Sequence, residues 1–374
     1  MKTETDRSSN ERANRAYLVG PFCSPYRTRD QAESGLRELD GLCRAAGIVP
    51  VGAEVVAIHS PNPAFYLGTG QTDRIIEHAR DIDALVIVFD EPLSPVHLRN
   101  WARRAGTEVY DRHAIILEIF SRRARSKEAQ LQVELARARY AQSHLVGMWQ
   151  HLSRQGGGSR LARGEGEKQL EMDRRALAQR VKRARHGLEH VARHRERSRN
   201  ARADLFRVAL VGYTNAGKSS LLNALVNARL RAANQLFATL DPSTRRLKTD
   251  ADTTVLFSDT VGFVSRLPPE LIDAFHSTLE EAVEADLLLL VLDAADPAMR
   301  DHLATTLDIL HRIGAEGAER LFVLNKCDRL GSDDSPDEAI RDILRPQEAT
   351  IRCSARDGDG IRELRDLILR RARA

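Results

Sequence analysis

Eight consecutive residues, Gly212-Tyr213-Thr214-Asn215-Ala216-Gly217-Lys218-Ser219, have the spacing G-x-x-x-x-G-K-[ST] and lie between an apolar strand and a helical run. That context suits a polyphosphate. Glycines let the backbone curl so that its N–H groups and the helix N-terminus face the anion, Lys218 neutralises the outer phosphates, and Ser219 supplies an oxygen to Mg²⁺.

Asp259 closes a predicted strand about forty residues further on, placed to hold Mg²⁺ through its water shell, and Gly262 can offer its backbone N–H to a terminal phosphate. Asn325-Lys326-Cys327-Asp328 follows another apolar strand. There Asp328 can accept from both the ring N–H and the exocyclic amine of guanine, Asn325 can brace the loop, and the Lys326 stem can cover the base. Adenine would leave that carboxylate unpaired, a mismatch rejected by large factors, so the motif selects GTP over ATP. Ser354-Ala355-Arg356 fits a loop whose backbone N–H meets the guanine carbonyl. In Phe237-Ala238-Thr239-Leu240-Asp241-Pro242, Thr239 is suited to closing over Mg²⁺ and the γ-phosphate, in preference to Ser243 or Thr244. Lys218, Thr239 and Gly262 are the candidate catalytic residues.

One residue breaks the pattern. Phe263 ends Asp259-Thr260-Val261-Gly262-Phe263, where many GTPases carry a polar side chain that holds the attacking water. With Asp259 and Gly262 intact, the expectation is slow hydrolysis, accelerated when a partner moves the ring away from the phosphate or another group orients the water.

These motifs need strand ends and helix starts to carry them. From Phe206 onward, FRVALVG, a helix SSLLNALVNARL, paired strands near 243–249 and 253–258, then DLLLLVLDAA, RLFVLNK and ATIRCSA alternate strand with helix, and the motifs fall in loops after strands. Near the N-terminus, AYLVGPF (16–22), VPVGAEVVAI (49–58), ALVIVFD (84–90) and TEVYD (107–111) read as strands, with helices near 29–46, 71–80 and 95–104. That alternation implies a small, mostly parallel sheet. Between these regions the period changes. Leu131, Leu135, Ala138, Leu145, Trp149 and Leu152, and later Leu170, Leu177, Val181, Ala184, Leu188 and Val191, step by three and four. They predict an antiparallel pair of helices, with GGGSRLARGEGE (156–167) at the turn and arms on the order of 40 Å long. The fold class is therefore α/β: an N-terminal α/β domain over 1–115, a basic helical hairpin with a glycine-rich tip over 116–205, and a P-loop GTP-binding domain over 206–374.

A chain of 374 residues with 42% hydrophobic content can build two or three cores. The polar start MKTETDRSSNERANR is neither signal nor transit peptide, and the apolar run around Leu287 to Leu292 is far short of the roughly 20 residues that cross a bilayer. A soluble, cytoplasmic monomer is expected, with peripheral membrane contact left open. Cys23, Cys43, Cys327 and Cys353 are widely spaced, which excludes a disulfide framework and a zinc site in favour of reduced thiols. The net charge of +4 hides an asymmetry, since Ser121 to Asn200 holds about twenty Lys/Arg against about eight acidic residues. Such a segment suits RNA phosphate, with salt-dependent binding, and its few aromatics favour structured RNA over unstacked bases. His186, His190 and His194 lie off the apolar seam among arginines that would repel a divalent cation, so they read as a solvated face. Gly68-Thr69-Gly70-Gln71 could approach a phosphate but is as natural in a tight turn.

The chain resembles the HflX family of translation-factor-type GTPases. The likeness runs from about residue 17 onward through YLGTGQ (66–71), DRHAIILEIFSRRARSKEAQLQVELARARY (111–140), HLSRQGGG (151–158), RGEGEKQLEMDRR (163–175), GYTNAGKSSLLNAL, LFATLDPSTR, DTVGFVSRLPPELIDAFHSTLEE and NKCD. It implies GTP hydrolysis with Mg²⁺, association with the large ribosomal subunit and its RNA, and splitting of stalled or idle ribosomes. Carried onto matching positions, Mg²⁺ contacts fall on Ser219 and Thr239. Nucleotide contacts fall on Gly212, Tyr213, Thr214, Asn215, Ala216, Gly217, Lys218 and Ser219, on Phe237, Ala238, Thr239, Leu240 and Asp241, on Asp259, Thr260, Val261 and Gly262, on Asn325, Lys326, Cys327 and Asp328, and on Ser354, Ala355 and Arg356. A nucleotide-dependent RNA remodeller or stress-regulatory module is the alternative. The chain departs from the family's G-P-G-E-T-Q-L-E loop, with Glu165 for the proline and Lys168 for the threonine. The C-terminal extension of some relatives is not expected.

Overall fold

The computed structural model describes residues 14–154, 160–200, 205–226, 237, 243–248, 254–268, 270–271, 276–315, 317–331, 335–346 and 348–373. The chain forms two compact units, one of residues 1–123 with 133–186 and the other of 124–132 with 187–374.

In the first unit β1 (Arg15–Phe22), β2 (Val49–Ala57), β3 (Val86–Phe89) and β4 (Glu108–Asp111) form a parallel sheet in the order β2-β1-β3-β4. The two central strands bury Ala16, Leu18, Val19, Ile87, Val88 and Phe89 without alternation, as a parallel sheet covered on both faces requires. The crossovers are α1 (Arg29–Ala45), α2 (Thr69–Asp81) and α3 (Pro95–Ala105). Their starts are local: Thr28 and Gln31 close a capping box on α1, and Ser94 accepts from the His97 N–H ahead of Pro95. Gly68-Thr69-Gly70-Gln71 is the cap of α2. Gln71 Oε1 accepts the Gly68 N–H at 3.2 Å and Gln71 Nε2 donates to the Ala57 carbonyl at 2.8 Å.

A fourth helix, α4 (Arg112–Arg123), follows β4 with no loop between them, because Asp111 both ends the strand and accepts the Ala114 N–H at 2.8 Å. The sequence boundary at residue 115 falls inside it. α4 buries Ile115, Ile116, Leu117, Ile119 and Phe120. At its start the buried Arg112 donates to Asp90 at 2.6 Å and pairs with Glu38, while Arg27 pairs with Asp90 and, at 2.6 Å, with Glu91. Removing one member would leave a buried charge uncompensated, at a cost of about 3–5 kcal/mol.

Two long helices follow, α5 (Lys127–Arg154) and α6 (Arg160–Asn200). In the first unit Glu134 pairs with Arg180 at 2.7 Å, and in the second Gly187 backs onto Leu131, whose methyl a Cβ there would meet at 2.9 Å. Positions fall along α6 as they rise along α5, so the helices are antiparallel. Leu135, Ala138, Leu177 and Ala184 of the predicted seam are buried. The side chains of Leu145, Trp149, Leu152 and Leu170 lie outside the described residues. RLARGEGE (160–167), which the sequence suggests as part of the turn, belongs to α6. Its Leu, Ala, Arg and Glu are strong helix formers and offset the roughly 1 kcal/mol that each interior glycine costs.

The second unit continues with β5 (Phe206–Val211), α7 (Lys218–Val226), β6 (Ser243–Lys248), β7 (Thr254–Asp259), α8 (His276–Val283), β8 (Leu287–Asp293), α9 (Met299–Arg312), β9 (Glu319–Asn325), β10 (Ala349–Arg352) and α10 (Ile361–Arg371). The sheet order is β10-β9-β8-β5-β7-β6, with β6 antiparallel to β7 and the remaining pairs parallel. Along β8 the leucines divide by the strand period. Leu288, Leu290 and Leu292 enter one core, and Leu287, Leu289 and Val291 enter the core on the opposite face. β5 lies between β8 and β7, where the winding reverses, so the loop after β5 occupies the switch point at which open α/β sheets bind ligands. Among the described residues no helix is long and apolar enough to cross a membrane.

Candidate active site

The loop from Gly212 to Gly217 joins β5 to α7 and is held from three sides. Gly217 has φ +95°, and a Cβ there would collide with the Asn325 amide. That amide donates to the Ala216 carbonyl at 2.9 Å, so the guanine motif is bolted directly to the phosphate loop. Lys326 reinforces the joint, donating to the Asn215 carbonyl and pairing with Asp293 at the end of β8, both at 2.6 Å. On the other side the Thr214 N–H donates to the Phe263 carbonyl at 2.7 Å and the Phe263 N–H donates to the Gly212 carbonyl at 3.1 Å. This is a one-rung parallel bridge between Tyr213 and Phe263.

At the phosphate end, buried Lys218 donates from Nζ to the Gly212 and Tyr213 carbonyls, each at 2.9 Å. Ser219 Oγ donates to Asp259 Oδ2 at 2.6 Å, which brings together two oxygens from segments far apart in sequence. Gly262 lies against this cluster, and a Cβ on it would stand 2.8 Å from Thr214 Cγ2 and 3.0 Å from Lys218 Nζ. Thr260 points away, its hydroxyl donating to the Leu210 carbonyl at 2.7 Å. Phe237 is buried, while Ala238, Thr239, Leu240 and Asp241 lie outside the described residues.

At the base end, Ser354 Oγ donates to Asp328 Oδ1 at 2.8 Å and Arg356 stands 3.8 Å from Asp328 Oδ2. The Ala355 N–H donates to Asn325 Oδ1 at 3.0 Å, which ties this loop to the Asn325 motif. Burial pushes the Cys353 thiol up to about 12 and raises Cys327 as well, which makes both poor nucleophiles. His186 and His190 are exposed, and among the described residues no cluster of His, Cys, Asp or Glu could hold a metal ion.

Three family models cover most of the chain: "GTP-binding GTPase N-terminal" over 33–121, "GTP-binding GTPase Middle Region" over 123–202, and "50S ribosome-binding GTPase" over 207–326. GTPase HflX of Spirochaeta thermophila is 42% identical across 97% of this chain and 86% of its own length. GTPase HflX of Escherichia coli is 42% identical across 91% and 79%. This chain belongs to the HflX family of GTPases. A solved structure, the SsGBP and GDP complex, has a similar fold with TM-score 0.52 and 27% identity over 96% of this chain and 98% of that one. The HflX-family chain binds GTP and hydrolyses it to GDP and phosphate.

Phe263 is only 2% exposed and packs in the core with Val211, Leu279, Ala282 and Leu290. From the sequence, this ring is expected near the phosphate, to be moved aside by a partner unless another group orients the water. In the structure it already points inward, because the backbone bridge to the phosphate loop fixes the alternation of side chains through Gly262, Phe263 and Val264. Phe263→Ala should therefore destabilise the GTPase unit by about 3–5 kcal/mol. Phe263→Gln should do the same by burying an amide. Denaturant titration of the two variants checks this, and wild-type midpoints would place the ring outside the core.

Lys218 gives the HflX-family site a pH dependence. Burial pushes its ammonium from an ordinary 10.5 down to about 8, with Asp259 opposing the shift. Because the folded value is the lower one, the unfolded chain binds more protons between those values and stability rises with pH across that window. The cost of the buried cation, about 3 kcal/mol, is fully present below the folded value and is lost as pH climbs toward the unfolded one. Nucleotide-free wild type and Lys218→Met should thus differ in urea midpoint at neutral pH, with wild type lower, and converge at about pH 10. A difference that stayed constant with pH would refute the assignment.

The sequence missed the roles of Asp293 and of the Tyr213 side chain. Asp293 carried a weak signal as the carboxylate that ends LLLLVLD. Tyr213 carried none.

Proposed function

We propose that this HflX-family GTPase works on the large ribosomal subunit, splitting stalled or idle ribosomes, with hydrolysis slow alone and faster on the ribosome. The observation that carries the reading is the basic outer face of α6, where Arg174, Lys182, Arg183, Arg185 and Arg193 are all exposed. A rod with this charge is attracted to RNA phosphate by counterion release. The family model matched over 207–326 is described as a 50S ribosome-binding GTPase, which supports the large subunit's RNA as the partner.

In the proposed site the loop 212–219 cradles the phosphates, Asp328 reads guanine with Ser354, Ala355 and Arg356 beside it, and Asn325, Lys326 and Cys327 shape that pocket. Mg²⁺ suits the pair Ser219 and Asp259, since both offer hard oxygens and stand 2.6 Å apart. Thr239 would complete the contacts in the GTP state. Bound Mg²⁺ neutralises charge on the phosphates. Lys218 and the Gly262 N–H then stabilise charge that develops on the terminal phosphate.

Ribosomes incubated with GTP-loaded protein and sedimented through a gradient should resolve into subunits, and turnover should rise on addition of purified large subunits. Binding should weaken by at least tenfold between about 50 and 200 mM salt. Ribosomes that stay intact in every nucleotide state would sink the splitting proposal, and turnover indifferent to large subunits would sink the stimulation.

A further inference from the structure

Tyr213, the second residue of the phosphate loop, turns its side chain away from the site and is buried. Its hydroxyl donates to Ser265 Oγ at 2.9 Å and accepts the Ser265 backbone N–H at 2.6 Å. The ring lies flat against His302 of α9, with centroids 3.6 Å apart and planes 13° from parallel, and His302 stands 3.3 Å from Asp296. These contacts extend the bridge between Tyr213 and Phe263, so the segment after Asp259 is fixed to the phosphate loop by backbone at residue 263 and by a side chain at residue 265. Gly262 lies just ahead of both anchors, beside Lys218 Nζ.

We propose that Tyr213 is a positioning residue for GTP hydrolysis. It holds the segment 262–265 in register with the phosphate loop, so that the Gly262 N–H and Lys218 converge on the same terminal phosphate. The requirement is strict because donors that stabilise developing charge lose most of their effect when displaced by about 1 Å, and a rate loss on the order of 10²-fold can follow. Binding of the inner phosphates depends on the loop's own N–H groups and is separate from this register. The inference concerns hydrolysis by the protein alone and does not depend on its action on ribosomes.

The test is Y213F, which keeps the stacked ring and removes only the hydroxyl. In single-turnover GTP hydrolysis without ribosomes its rate should fall at least fivefold, while the dissociation constant for a fluorescent N-methylanthraniloyl GDP and the thermal midpoint stay within twofold and within about 3 °C of wild type. S265A should lower the rate two- to fivefold, and the double variant should be no slower than Y213F within twofold, since S265A removes one of the two hydrogen bonds that Y213F removes. A Y213F rate reduced less than fivefold overturns the proposal. So does a parallel loss of GDP affinity or of thermal stability, which would mark a general structural role. If Y213F does not fold, S265A decides: hydrolysis at the wild-type rate overturns the proposal, and a slower rate at unchanged GDP affinity sustains it.

Discussion

Asp328→Asn should weaken GTP and GDP binding by on the order of 10³-fold and shift base preference toward xanthine. Asp328 presents a carboxylate whose side chain is only 8% exposed and whose rotation is fixed by Ser354 Oγ. A carboxylate in that pose accepts from two adjacent guanine donors, the ring N–H and the exocyclic amine. An amide in the same place turns one acceptor into a donor, which then faces the guanine amine and leaves two buried donors opposed. Xanthine carries a carbonyl where guanine carries the amine, so the amide would pair with it. Displacement of a fluorescent GDP by GTP, XTP and ATP measures the change. Retained GTP affinity without a gain for XTP would mean that Asp328 does not read the base, and displacement by ATP in the wild type would say the same.

What the sequence could disclose depended on how local the physics was. The phosphate loop was legible because its residues form a contiguous run, and the central strands of both sheets because buried parallel strands leave unbroken apolar runs such as LLLLVLD. The antiparallel helices were legible from periodicity alone. The start of α4 was not, since Asp111 serves as strand end and helix cap at once and leaves no loop composition to read. The glycines at 164 and 166 suggested a turn, and the helix formers around them prevailed. Within the site, the directions of side chains and N–H groups were not legible. The Ala355 N–H donates to Asn325, a pairing between two loops that neither motif discloses alone. Phe263 looked like a defect at the phosphate, and it became a core residue through pairing with a loop some fifty positions earlier. No propensity or spacing encodes such a contact between distant segments.

Phe263 lies in the core, so its ring does not act on hydrolysis from the phosphate pocket. If the ring never occupies the phosphate pocket, catalytic power rests on groups already lining it, and the backbone at Gly262 becomes the sensitive point. Gly262→Ala should lower GTP hydrolysis on the order of 10²-fold while leaving GDP affinity within a few-fold of wild type. The added Cβ would stand 2.8 Å from Thr214 Cγ2, 2.9 Å from Thr214 Cα and 3.0 Å from Lys218 Nζ. Two of those neighbours cannot yield cheaply. Thr214 Cα is phosphate-loop backbone, and Lys218 is buried and tied to two carbonyls. The strain must therefore be relieved by shifting residue 262 outward against the anchors at Phe263 and Ser265, which withdraws its N–H from the terminal phosphate. GDP lacks that phosphate and should be indifferent to the shift. Added large subunits should not restore the rate, because no partner can remove the methyl group. Single-turnover hydrolysis with and without large subunits, set beside GDP titration, separates the cases. A variant that hydrolyses GTP at the wild-type rate, or that loses GDP affinity in proportion, would show that Gly262 does not face the reacting phosphate.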